Sequence, residues 1–152
     1  MEIKFKRVHT SKGLAISAVV LLAGVGLYFA NAALGLIVAV CGALMLVLYR
    51  PAFKRVGDDT VLEKAAFDVS SSCKEQLTDY LGGKGDALKL QKPGTGGVVR
   101  LETFYSAKAG IVYAQLFGFS NYAYVDITGV VELIGVRAEK LISEIKAFVA
   151  AS

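Results

Sequence analysis

The chain has 152 residues, 55% of them hydrophobic and 20% charged, with a formal net charge of +4. If a membrane segment takes about 40 residues, roughly 100 remain, so one soluble domain is expected. The basic excess lies in residues 1–12 and 50–55, whereas residues 56–152 hold more acidic than basic side chains. That distribution argues against a nucleic-acid partner.

The first 12 residues are predicted to form a basic juxtamembrane arm, because apolar and basic side chains alternate along them. Such a pattern is typical either of a short strand or of a segment lying on a membrane surface. His9, the one histidine of the chain, lies here among basic residues. We expect it to be solvated rather than catalytic.

Two almost wholly apolar runs follow, at residues 13–30 and 32–49, and meet at the polar residue Asn31. Neither run contains a charge or a proline. At ~1.5 Å per residue, each run extends about 27 Å, which matches the hydrocarbon thickness of a bilayer. The sequence therefore predicts a transmembrane helical hairpin over residues 13–49, with the lipid bilayer as its first partner.

Two other interpretations of these runs compete with a membrane hairpin. A cleaved signal peptide would share the basic start and the small-x-small sequence Ala30-Asn31-Ala32. However, the first run is long for a signal peptide and a second run follows at once. A helix pair buried in a soluble core is the second alternative, although soluble core helices seldom stay apolar on all faces.

Basic residues flank the hairpin on both sides, and its turn carries no charge. By the positive-inside rule, both termini are therefore expected in the cytoplasm, most naturally at a bacterial inner membrane. Small residues that recur every four positions would let the two helices approach closely. The predicted packing residues are Gly26, Ala30, Gly35, Ala39 and Ala43.

Residues 50–59 are predicted to form a linker, because Arg50-Pro51 ends the second helix and Gly57-Asp58-Asp59 is typical of a turn. A cytoplasmic domain is predicted over residues 60–152. Thr60 with Glu63 has the spacing of a capping box, while Phe67 and Val69 suggest a strand. Residues 61–69 are thus left open between helix and strand.

A helix is predicted after Ser72, which forms a second capping-box pair with Glu75. Its apolar face contains Cys73, Leu77, Tyr80 and Leu81, and Gly82-Gly83 would end it. A last helix is predicted over residues 137–149 from its apolar stripe, and should cover one face of a sheet.

Between these helices the apolar period changes to two, which indicates strands. The predicted strands lie at residues 88–90, 98–105, 111–119 and 122–127, with 130–134 as a continuation or a fifth strand. Short turns join them, so an antiparallel meander is expected. The predicted fold class is α+β, with a sheet of four or five strands flanked by two helices.

The sequence shows no pattern typical of a phosphate loop, a catalytic site or a metal site. Residues 81–86 and 94–97 are glycine-rich but lack the strand, helix and hydroxyl context of a phosphate loop. Cys73 has no histidine near it to act as a base, and Asp126 and Glu132 are isolated carboxylates. No spacing predicts a metal site. We therefore expect no catalytic residue, no cofactor and no metal.

Seven of the 15 aromatic residues fall within 21 positions on the last strands. Two-sided burial by a helix on each face is one explanation, and an exposed aromatic interaction surface is the other. The candidates for such a surface are Phe104, Tyr113, Phe117, Phe119, Tyr122 and Tyr124.

Together these features favour a non-enzymatic integral membrane protein whose cytoplasmic domain mediates protein interaction or self-assembly. Its expected partner is a second copy or another membrane protein. The alternative is a ligand-responsive membrane effector whose domain senses a small molecule while the hairpins assemble, although no motif specifies a ligand. An uncharged hairpin argues mildly against a selective ion pathway.

Overall fold

The computed structural model describes residues 3–151. The described chain is α+β, with four α-helices and antiparallel strand pairs, and it forms two compact units that divide after residue 61. The α+β class predicted from the sequence is confirmed.

The first unit contains β1 (Phe5–Val8), α1 (Ser11–Tyr28), α2 (Ala32–Leu48) and β2 (Ala52–Arg55). β1 and β2 are antiparallel partners, with Phe5 opposite Arg55 and Val8 opposite Ala52. Of the two alternatives for the arm, the strand is the one observed. Its partner strand comes from the segment that was expected to be a linker.

Side-chain caps fix the starts of both helices of this unit. Thr10 Oγ1 accepts a hydrogen bond from Gly13 N at 3.0 Å, and Asn31 Oδ1 accepts one from Leu34 N at 3.1 Å. Such caps satisfy backbone N–H groups that have no partner within a helix. Asn31, the polar break between the apolar runs, is therefore the residue that starts α2.

By length and composition, α1 is able to cross a membrane, whereas α2 is more apolar but one residue shorter, at 17 residues. An apolar helix of this kind near the N-terminus also occurs in signal sequences and in buried cores. The apolar N-terminal helix is thus observed, while insertion of both helices as a membrane hairpin stays a prediction.

α1 and α2 lie antiparallel against each other along a seam of three glycines. A Cβ built on Gly24 would overlap the backbone of Ala39, one on Gly35 would overlap Tyr28, and one on Gly42 would overlap Leu21. Backbones this close leave no room for any side chain at the three positions. Ser17, also buried, donates its hydroxyl to Gly13 O at 2.9 Å.

This seam differs from the four-residue series predicted from the sequence. Gly35 and Ala39 lie in it, but a Cβ on Gly26 would meet nothing within 4 Å, and Ala30 and Ala43 are exposed. Gly24 and Gly42 take their place. The reason is register, because the facing residues are set by the length of the turn at Asn31, which a spacing rule within one helix does not contain.

The second unit contains the rest of the described chain, in which one strand and one helix precede four consecutive strands and a last helix. Its elements are β3 (Val61–Ser70), a 3₁₀ turn (Ser71–Cys73), α3 (Lys74–Leu81), β4 (Val98–Ser106), β5 (Ile111–Ser120), β6 (Ala123–Asp126), β7 (Val131–Ile134) and α4 (Val136–Ala150).

Residues 61–69, left open between helix and strand, form most of β3, which pairs along its length with β4. Neither predicted capping box forms. Asp58 Oδ1 instead accepts hydrogen bonds from Thr60 N at 2.9 Å and Thr60 Oγ1 at 3.0 Å, so Thr60 belongs to a turn. The residue before α3 is Cys73, which makes no side-chain capping bond.

The strand predicted at residues 88–90 is absent. Leu88 is buried in the core, but the backbone beside it bonds to helix side chains: Lys89 N donates to Gln76 Oε1 at 3.4 Å and Leu90 N to Glu144 Oε2 at 3.5 Å. The alternation of apolar residues in this segment correctly indicated that Leu88 is buried. The same pattern does not show which groups the backbone hydrogen-bonds to, and those partners decide whether a segment is a strand.

The sheet departs from a simple meander at β5. β6 pairs with residues 117–120 of β5 and β7 pairs with residues 111–114, so both lie end to end along the same edge. Ile127 N and Thr128 N, between them, both donate to Leu116 O. β6 and β7 therefore share one neighbour rather than following each other across the sheet.

Both helices of this unit pack on one face of the sheet, which we call the helical face. The core there includes Leu77 and Tyr80 of α3, Leu141 and Ile145 of α4, and Leu101 of β4. Phe67 and Phe148 stack at its margin with ring centroids 4.9 Å apart. A helix on each face, one explanation for the doubly apolar strands, is therefore wrong for this unit.

Candidate interaction surface

The face of the sheet opposite α3 and α4, which we call the outer face, carries most of the aromatic residues singled out from the sequence. Strand register places Phe104 opposite Tyr113, Arg100 opposite Phe117, and Phe119 opposite Tyr124. Five of the six candidates therefore share one face. Tyr105, of opposite parity, packs against the core on the helical face.

The two ends of the outer face differ in exposure. At the end near β7, Tyr113 is only 2% exposed and its hydroxyl donates to Glu132 Oε1 at 3.1 Å. The neighbouring Phe104 ring is half-buried, with the Lys64 ammonium 5.2 Å from its centroid. Tyr113 and Phe104 thus contribute to packing and leave little surface for a partner.

At the opposite end, Phe119 is 51% exposed and Tyr122 is 98% exposed. The Phe119 and Tyr124 rings meet edge to face, with centroids 5.3 Å apart and planes at 62°. Val125 beside them is also exposed. Val125 lies on the other side of β6, opposite Gly118. We call Phe119, Tyr122, Tyr124 and Val125 the β5–β6 tip, and this end of the hairpin is its apolar part that is open to a partner.

The turn that joins β5 to β6 presents Tyr122 to solvent. Asn121 and Tyr122 have φ values of 50° and 60°, so both central residues are left-handed, as in a type I′ hairpin turn. Asparagine tolerates this conformation, but an aromatic residue rarely adopts it. Backbone strain of this kind is concentrated at functional sites, and here it holds a large ring away from the protein.

An ion pair supports the tip from the neighbouring strands. Arg100 Nε donates to Asp68 Oδ1 at 2.9 Å, and the guanidinium carbon lies 4.1 Å from the centre of the Tyr124 ring. The Tyr124 hydroxyl donates to Asp68 Oδ1 at 3.3 Å. The bond to Asp68 raises the pKa of Arg100. Because arginine is cationic at every physiological pH, the charge stays over the ring.

A groove of about 510 Å³ opens on the helical face at the same end of the sheet. Its floor includes Val99 and Ile127, and Ser71, Lys74 and Asp126 contribute polar groups to its rim. Gly118 contributes to the shape, because a Cβ there would lie 3.3 Å from Ile127 Cδ1. Ser71 Oγ donates to Gly96 O at 2.7 Å and so fixes the glycine loop beside the groove.

The residues considered for chemistry do not converge. Cys73 is buried and its thiol donates to Lys89 O at 3.6 Å. Asp126 and Glu132 face β5 at Phe117 and Tyr113, four residues apart, or about 13 Å along the strand. Among residues 3–151, no cluster of three histidine, cysteine or acidic side chains could hold a metal ion.

The glycine-rich segment after α3 is occupied by contacts of α4. Gly83 has a φ of 78°, which only glycine adopts easily, and the loop then turns its carbonyls toward cations. Arg137 Nη2 donates to Gly85 O, and Lys140 Nζ donates to Asp86 O. A phosphate loop would instead direct backbone N–H groups at its ligand.

Comparisons of the chain with protein-family models, with curated proteins and with solved structures give no match. The proposals below therefore depend on the geometry of this chain alone.

Sequence reasoning selected the aromatic residues of the surface but missed its charged support. Asp68 and Arg100 are 32 positions apart and meet only because β3 pairs with β4 in one register. The groove was missed for the same reason, since its lining comes from five separate segments. Residue type could have pointed to Arg100, because a cation on an aromatic strand is often paired.

Proposed function

We propose that this chain is a non-enzymatic integral membrane protein whose second unit mediates self-assembly at the membrane. In this proposal α1 and α2 span a bacterial inner membrane as a hairpin, and both termini lie in the cytoplasm. The β5–β6 tip and the β6 edge form the contact with a second copy of the chain.

The surface of the helix pair supports the membrane part of the proposal. Large apolar side chains point away from the seam, such as Leu22, which is 68% exposed, and Leu48, which is 71% exposed. In water this surface would favour aggregation, whereas in a bilayer it faces lipid at no cost. Basic residues lie at the ends of the pair away from Asn31, as the positive-inside rule requires for cytoplasmic termini.

The single observation that carries the interaction part is that an exposed aromatic tip adjoins a strand with one described neighbour. β6 pairs with β5 on one side, and all four of its residues are exposed. The edge of a sheet presents backbone donors and acceptors to another strand, and Tyr and Phe are enriched at protein interfaces.

A second copy suits this edge better than an unrelated chain. Two β6 strands paired antiparallel across a twofold axis would make the same contacts in both directions, which is the requirement of a C2 interface. Anchoring in one membrane would also hold the copies in a common plane and raise their effective concentration. A different membrane protein at this edge is the other outcome of the tests below.

Cysteine labelling in intact cells tests the topology. Single cysteines at Asn31 and at Ser143, an exposed position on α4, are introduced into a Cys41→Ser background, while Cys73 is buried. A membrane-impermeant maleimide is expected to label Asn31→Cys in intact cells and Ser143→Cys only after permeabilisation. Labelling of Ser143→Cys in intact cells would overturn the orientation.

Disulfide cross-linking in membranes tests the interface. Val125→Cys in the Cys41→Ser background is expected to give a dimer on mild oxidation, because the two β6 strands would place these positions close together. Lys146→Cys, exposed on α4 away from the tip, is the matched control and is expected to stay monomeric. A cross-link to a different protein would replace self-assembly by a heteromeric contact.

The groove on the helical face supports a second candidate, a ligand-responsive effector. Its volume suits a small metabolite, and Lys74 offers positive charge for an anionic group. A thermal-shift screen of the full chain against nucleotides and anionic metabolites tests this function. Saturable stabilisation that Lys74→Gln abolishes would support it, and no stabilisation by any compound would count against it.

A further inference from the structure

The first unit carries a second feature, the two-stranded ribbon of β1 and β2, which continues directly from the helix pair. β1 ends at Val8 and α1 begins at Ser11, while α2 ends at Leu48 and β2 begins at Ala52. The Tyr49 ring packs over Gly13, since a Cβ on Gly13 would lie 3.3 Å from that ring. The ribbon is therefore held at one end of the helix pair.

Half of the paired positions in this ribbon are cationic. Lys6 lies directly opposite Lys54, Arg7 lies opposite Phe53, and Arg55 lies opposite Phe5. Like charges that face each other across an antiparallel pair destabilise it. The facing pair Lys6 and Lys54 therefore opposes the pairing of the two strands, which suggests that the charges serve an external anion.

Acidic side chains of the same unit do not balance this charge. Residues 2–61 contain seven lysines and arginines but only three acidic residues, Glu2, Asp58 and Asp59. Asp59 pairs with Lys54 at 3.2 Å. Asp58 accepts hydrogen bonds from the backbone and hydroxyl of Thr60. The unit therefore keeps a net positive charge at the end of its helices.

Aromatic side chains accompany the cations. The Arg7 guanidinium lies 5.6 Å from the centre of the Phe53 ring, and Tyr49 lies between α2 and β2. Aromatic rings and long basic side chains together are typical of the headgroup region, where the apolar portion sits near the acyl chains and the charge reaches outward. Each strand is about 13 Å long, so all these cations stay close to the helix ends.

We infer that the β1–β2 ribbon, with Lys12 and Arg50 at the adjoining helix ends, binds the phosphate groups of anionic phospholipids. This inference rests on the membrane location in the proposed function. Clustered basic residues beside a membrane helix attract anionic lipid with an energy equivalent to about fivefold in binding per cation near the surface. The ribbon also fixes the positions of these cations relative to one another, because pairing between β1 and β2 holds both strands in register.

Free phosphate shares the chemistry of a lipid headgroup, but the lipid is the ligand that this geometry favours. The cations are spread along a ribbon and two helix ends rather than gathered around a cavity. A surface of this kind contacts several headgroups in a plane, whereas a single small anion would meet only one or two cations.

Lipid selectivity of the full chain in nanodiscs tests the inference. The chain is reconstituted in phosphatidylcholine with phosphatidylglycerol, and the association of spin-labelled phosphatidylglycerol is compared with that of spin-labelled phosphatidylcholine. The wild type is expected to prefer phosphatidylglycerol severalfold, less so at high salt. The variant Lys6→Gln/Lys12→Gln/Arg50→Gln is expected to lower this preference toward unity.

The matched control removes three lysines of the second unit, Lys84→Gln/Lys89→Gln/Lys146→Gln, and is expected to retain the preference. Equal loss in both variants, or no preference in the wild type, would overturn the inference. Loss of the preference on adding glycerol phosphate would assign the site to a soluble phosphate instead. Carbonate extraction separates the two proposals, because a chain that leaves the membrane contradicts the membrane location itself.

Discussion

Tyr80 and Arg137 hold each other through two reciprocal hydrogen bonds. The Tyr80 hydroxyl donates to Arg137 O at 2.6 Å, and Arg137 Nη2 donates to Tyr80 O at 3.0 Å. The guanidinium carbon also lies 4.9 Å from the centre of the Tyr80 ring. These contacts between Tyr80 and Arg137 join the end of α3 to the start of α4 and so fix both helices on the helical face.

Removal of the Tyr80 hydroxyl is predicted to destabilise the second unit. Tyr80→Phe keeps the ring in the core but removes one hydrogen bond to the Arg137 carbonyl, at a cost of about 0.5–1.5 kcal/mol. Chemical denaturation of the full chain in mild detergent, followed by tyrosine fluorescence, measures this change. Tyr122→Phe, at an exposed position, is the control and is expected to match the wild type.

The same substitution is predicted to change the response to alkaline pH. Burial raises the pKa of Tyr80 above its ordinary value, so the unfolded chain releases this proton before the folded chain does. The stabilisation that protonated Tyr80 provides is therefore complete below about pH 10. It is lost as the pH rises through the pKa of Tyr80 in the folded chain. Tyr80→Phe is expected to flatten the alkaline decline.

Burial also raises the pKa of Tyr105, so part of the alkaline decline should survive in Tyr80→Phe. A denaturation midpoint that falls with pH as steeply in Tyr80→Phe as in the wild type would show that Tyr80 does not contribute.

The glycine seam is predicted to distinguish two substitutions of the same kind on α1. Gly24→Ala places a methyl group against the Ala39 backbone, which cannot move aside cheaply, and should cost about 1–3 kcal/mol. Gly26→Ala places it in open space and should be neutral or stabilising, since alanine favours helix by about 1 kcal/mol. Thermal unfolding in detergent compares them, and equal effects would contradict the seam.

The ion pair on the outer face is predicted to contribute little to the free energy of unfolding. Its larger effect is expected on the position of the Tyr124 ring at the β5–β6 tip. Both partners are about one-third exposed, so a double-mutant cycle of Asp68→Asn and Arg100→Gln should give a coupling energy of at most about 1 kcal/mol. The same variants should reduce the Val125→Cys cross-link, because Tyr124 loses its support. A large coupling energy with normal cross-linking would assign the pair a purely structural role.

Patterns within one segment were enough to predict much of the fold. Alternation placed β4, β5, β6 and β7 close to their observed bounds, and the apolar stripe placed α4. These predictions succeed because a half-buried strand or helix shows its period in consecutive residues. The α+β class follows from the same information.

Pairing between segments that are far apart in the sequence could not be predicted from local patterns. The local pattern of β3 is ambiguous because Thr60 and Glu63 have helix-start spacing, whereas the pairing with β4 makes the segment a strand. The segment at Leu88 failed in the opposite direction, since its backbone bonds to Gln76 and Glu144 rather than to a strand. Tertiary partners overrode local signals in both cases.

The candidate surface shows the same division. Alternation within each strand identified the aromatic residues, but only the register between strands shows that Phe119 and Tyr124 meet. Exposure then separates the open β5–β6 tip from buried Tyr113, a difference that residue type does not contain.

The mass of the full chain in mild detergent, measured by light scattering with the detergent contribution subtracted, tests self-assembly most directly. The wild type is predicted to be a dimer or larger, and Phe119→Ser/Tyr122→Ser is predicted to shift it to monomer. Ile134→Ser/Val136→Ser, which removes exposed apolar side chains away from the tip, should leave the mass unchanged. A wild type that is monomeric at every concentration, with the tip variant identical to it, would contradict the account.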